Sequence, residues 1–320
     1  MTNCQRTNPS LPLESSKQMR IGIDLGGTKI EAAVLDAAGH FRFRERVATP
    51  QGDYLATLQT IHQLIKRAEM ALDETCGFVG IGHPGSVNPA DGCIRNANST
   101  CLNGQSLQRD LEETLQRPVR LANDADCLAL SEAMDGAAYG CSSVFAVILG
   151  TGVGGGWFIH GHLQQGPNGL AGEWGHNPLA ISSPDEMPGP TCYCGKHGCI
   201  EAWLSGPGLV ADFQRESHDL AITDALSVVK LAGQGHQAAQ QTLNRHTQRL
   251  ARSLALIINA VDPEAIVLGG GVAQRPNLIA DLQAALVAHL FLPAGTPLRT
   301  KLSLPMFGDS SGVRGAARLF

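Results

Sequence analysis

The chain has 320 residues, of which 43% are hydrophobic and 17% are charged, with a formal net charge of -5. This length predicts two domains, and the acidic balance without any Lys- or Arg-rich run disfavours nucleic acid as a partner. The absence of an unbroken apolar stretch of ~20 residues argues against a membrane-spanning helix. Nine cysteines, an odd number without an export signal, favour reduced thiols and a cytoplasmic location.

The first 19 residues are polar and lack the apolar core of a signal peptide. We expect residues 1–19 to form a disordered tail or to precede the true start, because Met19 comes directly before the first apolar run. That run, "MRIGIDLGGTKIEAAVLD", predicts two antiparallel strands joined at a glycine turn. A third strand is predicted in "FRFRERVAT", and apolar residues at helical spacing after Asp53 predict a helix over residues 53–75.

The first half then continues with the strands "GFVGIGHPG" and "PVRLAND" and the helix "ADCLALSEAMDGAA". The second half restarts the pattern, since "SSVFAVILGTGVGGGWFIHG" again reads strand, glycine turn, strand. Further elements are predicted after it: helices near 207–216, 223–233, 237–260 and 276–290, strands at "EAIVLGGG" and 298–304, and the closing helix "SSGVRGAARLF". This repetition predicts an α/β architecture of two similar lobes with a cleft between them.

The glycine turns are candidate phosphate sites, because backbone N–H groups there can approach phosphate oxygens closely. Each turn alone is better explained as an ordinary hairpin, but three together, with "LGGG" at 268–271 at the end of a strand, favour a nucleotide cleft. The GxGxxG match at 150–155 is not a dinucleotide fingerprint, because it continues into a strand rather than a helix. Asp24 could orient a hydrated Mg²⁺ beside the phosphates. The candidate nucleotide residues are Asp24, Gly26, Gly27, Thr28, Lys29, Gly150, Thr151, Gly152, Gly269, Gly270 and Gly271.

Asp124 follows a predicted strand and opens a helix where the first repeat gives way to the second. A carboxylate there is accessible from both lobes and could accept a hydroxyl proton during phosphoryl transfer. Helix capping explains the same position equally well.

Four soft ligands at the spacing His-x15-Cys-x-Cys-x4-Cys predict a closed, structural Zn²⁺ site at His176, Cys192, Cys194 and Cys199. A disulfide or plain buried cysteines are the alternatives. Glu173 and Glu201 flank this cluster, so a bound metal would fix their relative positions. A zinc-dependent oxidoreductase is disfavoured because the ligand set leaves no open position.

Six motifs together make the chain resemble the ROK family of sugar kinases and repressors across residues 20–320: "IGIDLGGTK", "LANDAD", "ILGTGVGGG", "GEWGHNPL", "CYCGKHGCIE" and "VLGGG". The resemblance implies the two-lobed, actin-like (ribonuclease H-like) sugar kinase fold, with ATP, Mg²⁺ and a hexose bound between the lobes. It also implies a homodimer. The expected domains are an N-terminal lobe over 20–122, completed by the helix at 309–320, and a C-terminal lobe over 123–308 with the zinc loop at 176–199.

Carried over by position, Asp124 matches the catalytic base of the family. Hexose-contacting positions are matched by Asn123, Glu173, His176 and Glu201, and Asn98 and Asn103 in "NANSTCLNG" are expected to help line the sugar pocket. Within the family, "NANSTCLNG" and "GDSSGVRGAA" look most like bacterial fructokinases that also take mannose. The implied reaction is ATP-dependent phosphorylation of D-fructose at its C6 hydroxyl. N-acetylglucosamine, mannose or glucose kinases and a non-catalytic sugar-sensing regulator are the alternatives. His83 and Cys101 depart from the fructokinase pattern near the expected pocket.

Overall fold

The computed structural model of the protein describes residues 19–293 and 295–320. The tail expected at residues 1–19 therefore lies outside the described residues, apart from Met19. Within the described ranges, no helix is long and apolar enough to cross a membrane.

Twelve strands are described, and ten of them form two sheets of five. Their bounds are β1 Arg20–Leu25, β2 Lys29–Leu35, β3 Phe41–Ala48, β4 Val79–His83, β5 Ser86–Val87, β6 Ile94–Arg95, β7 Val119–Asn123, β8 Ser143–Leu149, β9 Val153–Ile159, β10 His162–Leu163, β11 Ala265–Gly269 and β12 Lys301–Ser303. The small pair β5 and β6 makes a separate antiparallel hairpin.

Nine α-helices are described in the same ranges. Their bounds are α1 Tyr54–Leu72, α2 Leu107–Leu115, α3 Asp124–Asp135, α4 Ile200–Leu204, α5 Gly206–Ser217, α6 Ala225–Gly233, α7 Gln237–Val261, α8 Leu278–Leu286 and α9 Ser311–Ala316.

The two sheets share one arrangement of strands. The first has the order β3-β2-β1-β4-β7 and the second β10-β9-β8-β11-β12. In each, a meander of three antiparallel strands is extended on one side by two parallel strands. The predicted repeat of two α/β lobes is therefore confirmed, and the fold is the two-lobed α/β architecture expected from the sequence.

Helices α3 and α9 pack against each other between the two sheets. Helix α9 also lies against β1 and β4, where Gly22 and Gly80 leave no room for a side chain beside its backbone. The aromatic ring of Phe320 stacks on Phe78, 4.7 Å between centroids, and so holds the end of the chain against the first lobe. The contacts agree with α9 completing the first lobe, although the expected lobe boundary at residue 122 stays a prediction.

Helix α1 shows how closely local patterns set the elements. Its predicted cap, Asp53, accepts a hydrogen bond from the backbone N–H of Ala56 at 2.9 Å. Leu58, Ile61 and Leu64 face the first-lobe core, as their spacing predicts. The helix ends at Leu72, three residues before the predicted end, because Asp73 adopts a left-handed conformation.

Candidate active site

A cleft of about 580 Å³ lies between the lobes. Residues predicted to bind substrate or to act in catalysis line it: Asn98, Asn123, Asp124, Glu173, His176 and Glu201. The second glycine turn, Gly150–Gly152, lines the same cleft. The structure therefore brings together residues that lie more than 100 positions apart in the sequence.

Asp124 is the first residue of α3 and follows β7 directly. Its Oδ1 accepts a hydrogen bond from the N–H of Ala125 at 2.8 Å, and the side chain of Asn123 caps the same helix. Asn123 also donates to the carbonyl of Gly85 at 2.8 Å, so it ties the start of α3 to the loop after β4. Asn123 thus supplies the side-chain cap, and this leaves the Asp124 carboxylate at the cleft.

Three carboxyl groups near this point have raised pKa values. Burial, opposed by the hydrogen bond from Ala125 and reinforced by Glu173, raises the pKa of Asp124 to about 6. Burial and the negative charge of Asp124 raise the pKa of Asp126 to about 8. Asp24 has its pKa raised to about 7 by burial, with Asp124 adding to the shift. At neutral pH the Asp124 carboxyl is therefore mostly ionised while Asp126 is mostly protonated.

Glu173 directly precedes a single 3-10 turn that ends at His176, and the His176 N–H donates to the Glu173 carbonyl at 3.2 Å. Burial raises the pKa of Glu173, and His176 partly offsets the rise. Glu201, in α4, accepts a hydrogen bond through Oε2 from the backbone N–H of Val153 at 2.9 Å. Glu201 therefore also supports the glycine turn, in addition to lining the cleft.

The predicted metal ligands converge on one point. The donor atoms of His176, Cys192, Cys194 and Cys199 all lie within 4.8 Å of one another. His176 Nδ1 is 3.6 Å from Cys192 Sγ, and Cys194 Sγ is 3.6 Å from Cys199 Sγ. Ligands around a tetrahedral Zn²⁺ with bonds of 2.0–2.3 Å are ~3.6–3.8 Å apart, whereas a disulfide needs about 2.05 Å. The donor set thus fits a tetrahedral soft-metal site, and the cysteines are free thiols.

The first glycine turn does not line the cleft itself but lies next to a segment that does. Gly27, Thr28 and Lys29 are exposed, and a side chain at Gly27 would come within 3.4 Å of the Ser99 hydroxyl, one residue from Asn98. Asp24, at the end of β1, packs against Gly312 near the start of α9. The first glycine turn and Asp24 therefore lie beside the cleft and do not form part of its lining.

Two groups of predicted residues have a different local role from the one expected. Asn103 does not line the cleft; its amide exchanges hydrogen bonds with the backbone of Ala97, at 2.9 and 3.0 Å, and so shapes the loop that carries Asn98. Gly270 is required by its positive φ and by the backbone of Leu149, whereas a side chain at Gly269 would press on the end of the Leu128 side chain. Gly271 alone of the three leaves an open side. Cys101 packs against the first-lobe core and is not a cleft residue.

The structure adds residues that sequence reasoning missed. Tyr193 lines the cleft, and its hydroxyl is 3.0 Å from His176 Nε2, on the ring edge opposite the thiols. Its position between two cysteine ligands was the available signal. Arg95 of the first lobe contacts the carbonyl of Asn168 in the second, so the lobes touch across the mouth of the cleft.

His83 also lines the cleft, at the end of β4. Burial lowers its pKa to about 4, so the ring is neutral at physiological pH. Its Nδ1 lies 2.9 Å from the Pro84 carbonyl, which requires the proton on that nitrogen. His83 is thus fixed in one tautomer.

Comparisons with known proteins agree with the fold. The N-acetyl-D-glucosamine kinase of Yersinia enterocolitica is 39% identical over 311 residues, covering 94% of this chain and 99% of that protein. An N-acetylgalactosamine kinase of a Shewanella species is also 39% identical, covering 94% of this chain and 96% of that protein. The expectation of a fructokinase is not supported by these relatives, which are named for N-acetylated hexoses.

Solved structures also resemble this chain over nearly its whole length. A ROK hexokinase from Thermus thermophilus superposes with a TM-score of 0.81 at 31% identity, covering 94% of this chain and 97% of that one. A ROK family glucokinase from Streptomyces griseus, in complex with glucose and AMPPNP, gives 0.78 at 28% identity, with 94% and 98% covered. The family model described as "ROK family" matches residues 20–320. The chain therefore belongs to the ROK family and has the two-lobed fold of its sugar kinases.

Proposed function

We propose that the chain is an ATP-dependent hexose kinase whose preferred substrate is N-acetyl-D-glucosamine. The kinase activity is supported chiefly by one observation: the Asp124 carboxylate stands at the cleft where the two lobes meet. The choice of sugar is supported by the relatives named for N-acetyl-D-glucosamine.

Asp124 is proposed as the general base. The proton of the attacking sugar hydroxyl passes to its carboxylate, while the hydroxyl oxygen bonds to the γ-phosphorus of ATP. The bond from that phosphorus to the bridging oxygen breaks, and ADP leaves with the electron pair. A pKa of about 6 suits this role, because the group is ionised at neutral pH yet basic enough to share the proton.

The nucleotide phosphates are assigned to the backbone N–H groups of the turns at 26–29 and 150–152, with Gly271 beside the nucleoside. Asp24 is proposed to hold Mg²⁺ through water. Its buried carboxyl lies in a field made negative by Asp124 and Glu31, which favours a hard cation with oxygen ligands. When bound, that ion would neutralise phosphate charge.

Sugar contacts are assigned to Asn98, Asn123, Glu173, His176 and Glu201, with Asn103 moved to a supporting role through Ala97. The loop at 165–172 lines the same cleft and offers further contacts from the second lobe. This assignment places carboxylates and amides around the sugar, the side chains that hydrogen-bond hydroxyl and amide groups well.

His176, Cys192, Cys194 and Cys199 are proposed to hold a structural Zn²⁺, since their spacing fits four ligands with no open position. Purified protein should contain about one zinc per chain by elemental analysis. Metal-free protein with full activity and unchanged stability would contradict this role.

We also propose a homodimer, which light scattering would test.

A panel of hexoses scored by kcat/KM in a coupled ADP-release assay tests the substrate. We expect N-acetyl-D-glucosamine to give the highest value, and N-acetylgalactosamine, glucose, mannose and fructose to give lower ones. Fructose as the best substrate would overturn the proposed specificity. No turnover of any hexose would indicate a sugar-sensing regulator in place of a kinase.

A further inference from the structure

We propose that Glu201 is a positioning residue that couples the cysteine–histidine cluster to the glycine turn at 150–152. Binding of the metal would thereby determine the affinity for the nucleotide as well as the shape of the sugar-binding side of the cleft. The inference rests on the proposed function, in which this turn holds ATP phosphates. The proposed role differs from that of a simple sugar contact, because it gives Glu201 an effect on the binding of the nucleotide.

The first link joins the cysteine–histidine cluster to the short helix α4. Cys199 is the residue immediately before α4. The N–H of Ile200 donates to Asn177 at 2.9 Å, and the N–H of Leu179 donates to Gly198 at 2.8 Å. Ile200, Trp203 and Leu204 are buried in the second-lobe core. Cys199 is therefore joined to α4 directly by the chain, and α4 is anchored in the core by these buried side chains.

The second link joins that helix to the turn. Glu201 lies in the first turn of α4, and its Oε2 accepts the Val153 N–H at 2.9 Å. The fit is close, because a Cβ atom at Gly152 would stand 2.6 Å from the same oxygen. Hydrogen bonds to a carboxylate are about twice as strong as neutral ones.

Beyond the strand pairing that closes the β8–β9 hairpin, the turn itself has two backbone hydrogen bonds. The N–H of Gly150 donates to Gly152 at 2.9 Å within the turn, and the N–H of Gly206 donates to Gly150 at 2.8 Å. Over the described parts of the chain, Glu201 supplies the only side-chain hydrogen bond to the backbone of residues 150–153. The conformation of the turn thus depends on where α4 holds this carboxylate.

The experiment compares Glu201→Gln with Glu201→Ala in the full-length, zinc-loaded protein. Glutamine keeps an acceptor oxygen for Val153 but loses the charge, whereas alanine loses both. Hydrogen–deuterium exchange is followed for peptides covering residues 146–156, with peptides from α1 as the control for global unfolding. The dissociation constants of AMPPNP with Mg²⁺ and of N-acetyl-D-glucosamine are measured separately by calorimetry.

We expect Glu201→Ala to raise deuterium uptake at 146–156 and to weaken AMPPNP binding roughly tenfold. Glu201→Gln should stay within about threefold of wild type for AMPPNP. Chelator-treated wild type should show the same local rise in uptake as Glu201→Ala, and zinc should reverse it. If the alanine variant does not fold, Glu201→Asp gives the same test, because the shorter side chain cannot reach Val153.

Unchanged uptake at 146–156 and unchanged AMPPNP affinity in Glu201→Ala, with weakened sugar binding, would overturn the coupling and leave Glu201 as a sugar contact. The exchange comparison uses no substrate. A wild type without turnover would therefore count against the proposed function alone, and the uptake of the variants would still decide the coupling.

Discussion

The two glycine turns occupy the same place in two sheets of identical strand order, yet they are held differently. The first, between β1 and β2, is fixed by the adjoining strand: Thr49 donates through Oγ1 to the Gly26 carbonyl at 2.8 Å and through its N–H to Thr28 at 3.0 Å. The second, between β8 and β9, is fixed by Glu201 from a distant helix. One turn is supported by the sheet beside it, and the other by a carboxylate of the helix that follows Cys199.

This difference shows what each part of the chain contributes. The repeated sheet supplies a cleft and two turns, a layout that many α/β proteins could share. The segment between β10 and α5 has no counterpart in the first lobe at the same place, and it carries Glu173, His176, the thiols and Glu201. We infer that the repeated sheets provide the nucleotide-binding surface and that the inserted segment provides the sugar-binding surface.

Asp124 lies where the repeats meet and belongs to neither turn, so its substitution should have the largest effect. Asp124→Asn should lower kcat by on the order of 10²–10⁴, because the proton acceptor is lost. The thermal midpoint should change little, since Asn123 still caps α3. Steady-state turnover by ADP release checks this, and near-normal kcat would remove Asp124 from the mechanism.

The pH profile sharpens the same assignment. The base must be ionised, and burial raises the pKa of Asp124 to about 6. Below that pH, kcat/KM should therefore fall about tenfold per unit as the carboxyl becomes protonated. In Asp126→Asn the acid limb should stay in place, because the Asp126 carboxyl, with a pKa of about 8, is already neutral there. A profile flat down to pH 5 would contradict the assignment.

Matched glycine substitutions compare the two turns directly. Gly152→Ala should lower the free energy of unfolding by about 1–3 kcal/mol, because the methyl group would displace the Glu201 carboxylate 2.6 Å away. Gly27→Ala meets only the Ser99 hydroxyl at 3.4 Å, and its stability should stay within about 0.5 kcal/mol of wild type. Urea denaturation without nucleotide measures both. Equal losses would show that the turns are supported alike.

A smaller loss of stability than in Gly152→Ala is expected at Thr49. Thr49→Val removes the hydroxyl that donates to Gly26 and should cost about 1 kcal/mol of stability. Thr49→Ser keeps the hydroxyl and serves as the control. The exchange of residues 146–156 should not respond to either substitution, because Thr49 supports only the first turn. A response there would mean that the turns are coupled.

The sequence was sufficient to predict the repeat, and it singled out residues that the structure brings together in the cysteine–histidine cluster and in the cleft. Alternation identified the strands around both turns, and the close spacing of three cysteines indicated the cluster. Helices α2 and α4 and the two-residue strands β5, β6 and β10 were not predicted. Helix α4 has only five residues, too short for a periodic pattern, and it is stabilised by tertiary burial.

Roles that depend on long-range contacts could not be predicted. The bond between Glu201 and Val153 joins positions 48 residues apart, and nothing near either residue signals it. Asn103 shows the same limit. It was expected in the sugar pocket from its sequence segment, but its amide hydrogen-bonds to the backbone of Ala97 and does not line the cleft. The motifs favoured fructose, which the relatives named for N-acetylated hexoses do not support. The sequence could not decide between hexoses, because selection among hydroxyl groups depends on small displacements of cleft atoms.

The packing of α9 on β1 and β4 has a consequence for biosynthesis. Because residues 311–316 cover Gly22 and Gly80, a sheet whose strands are made early in translation is covered by a segment that is made much later. Until that segment leaves the ribosome, one face of the early sheet is uncovered and open to self-association. We therefore expect ribosome-bound chains halted before residue 311 to remain protease-sensitive in the first lobe, and chaperone demand to be greatest before release.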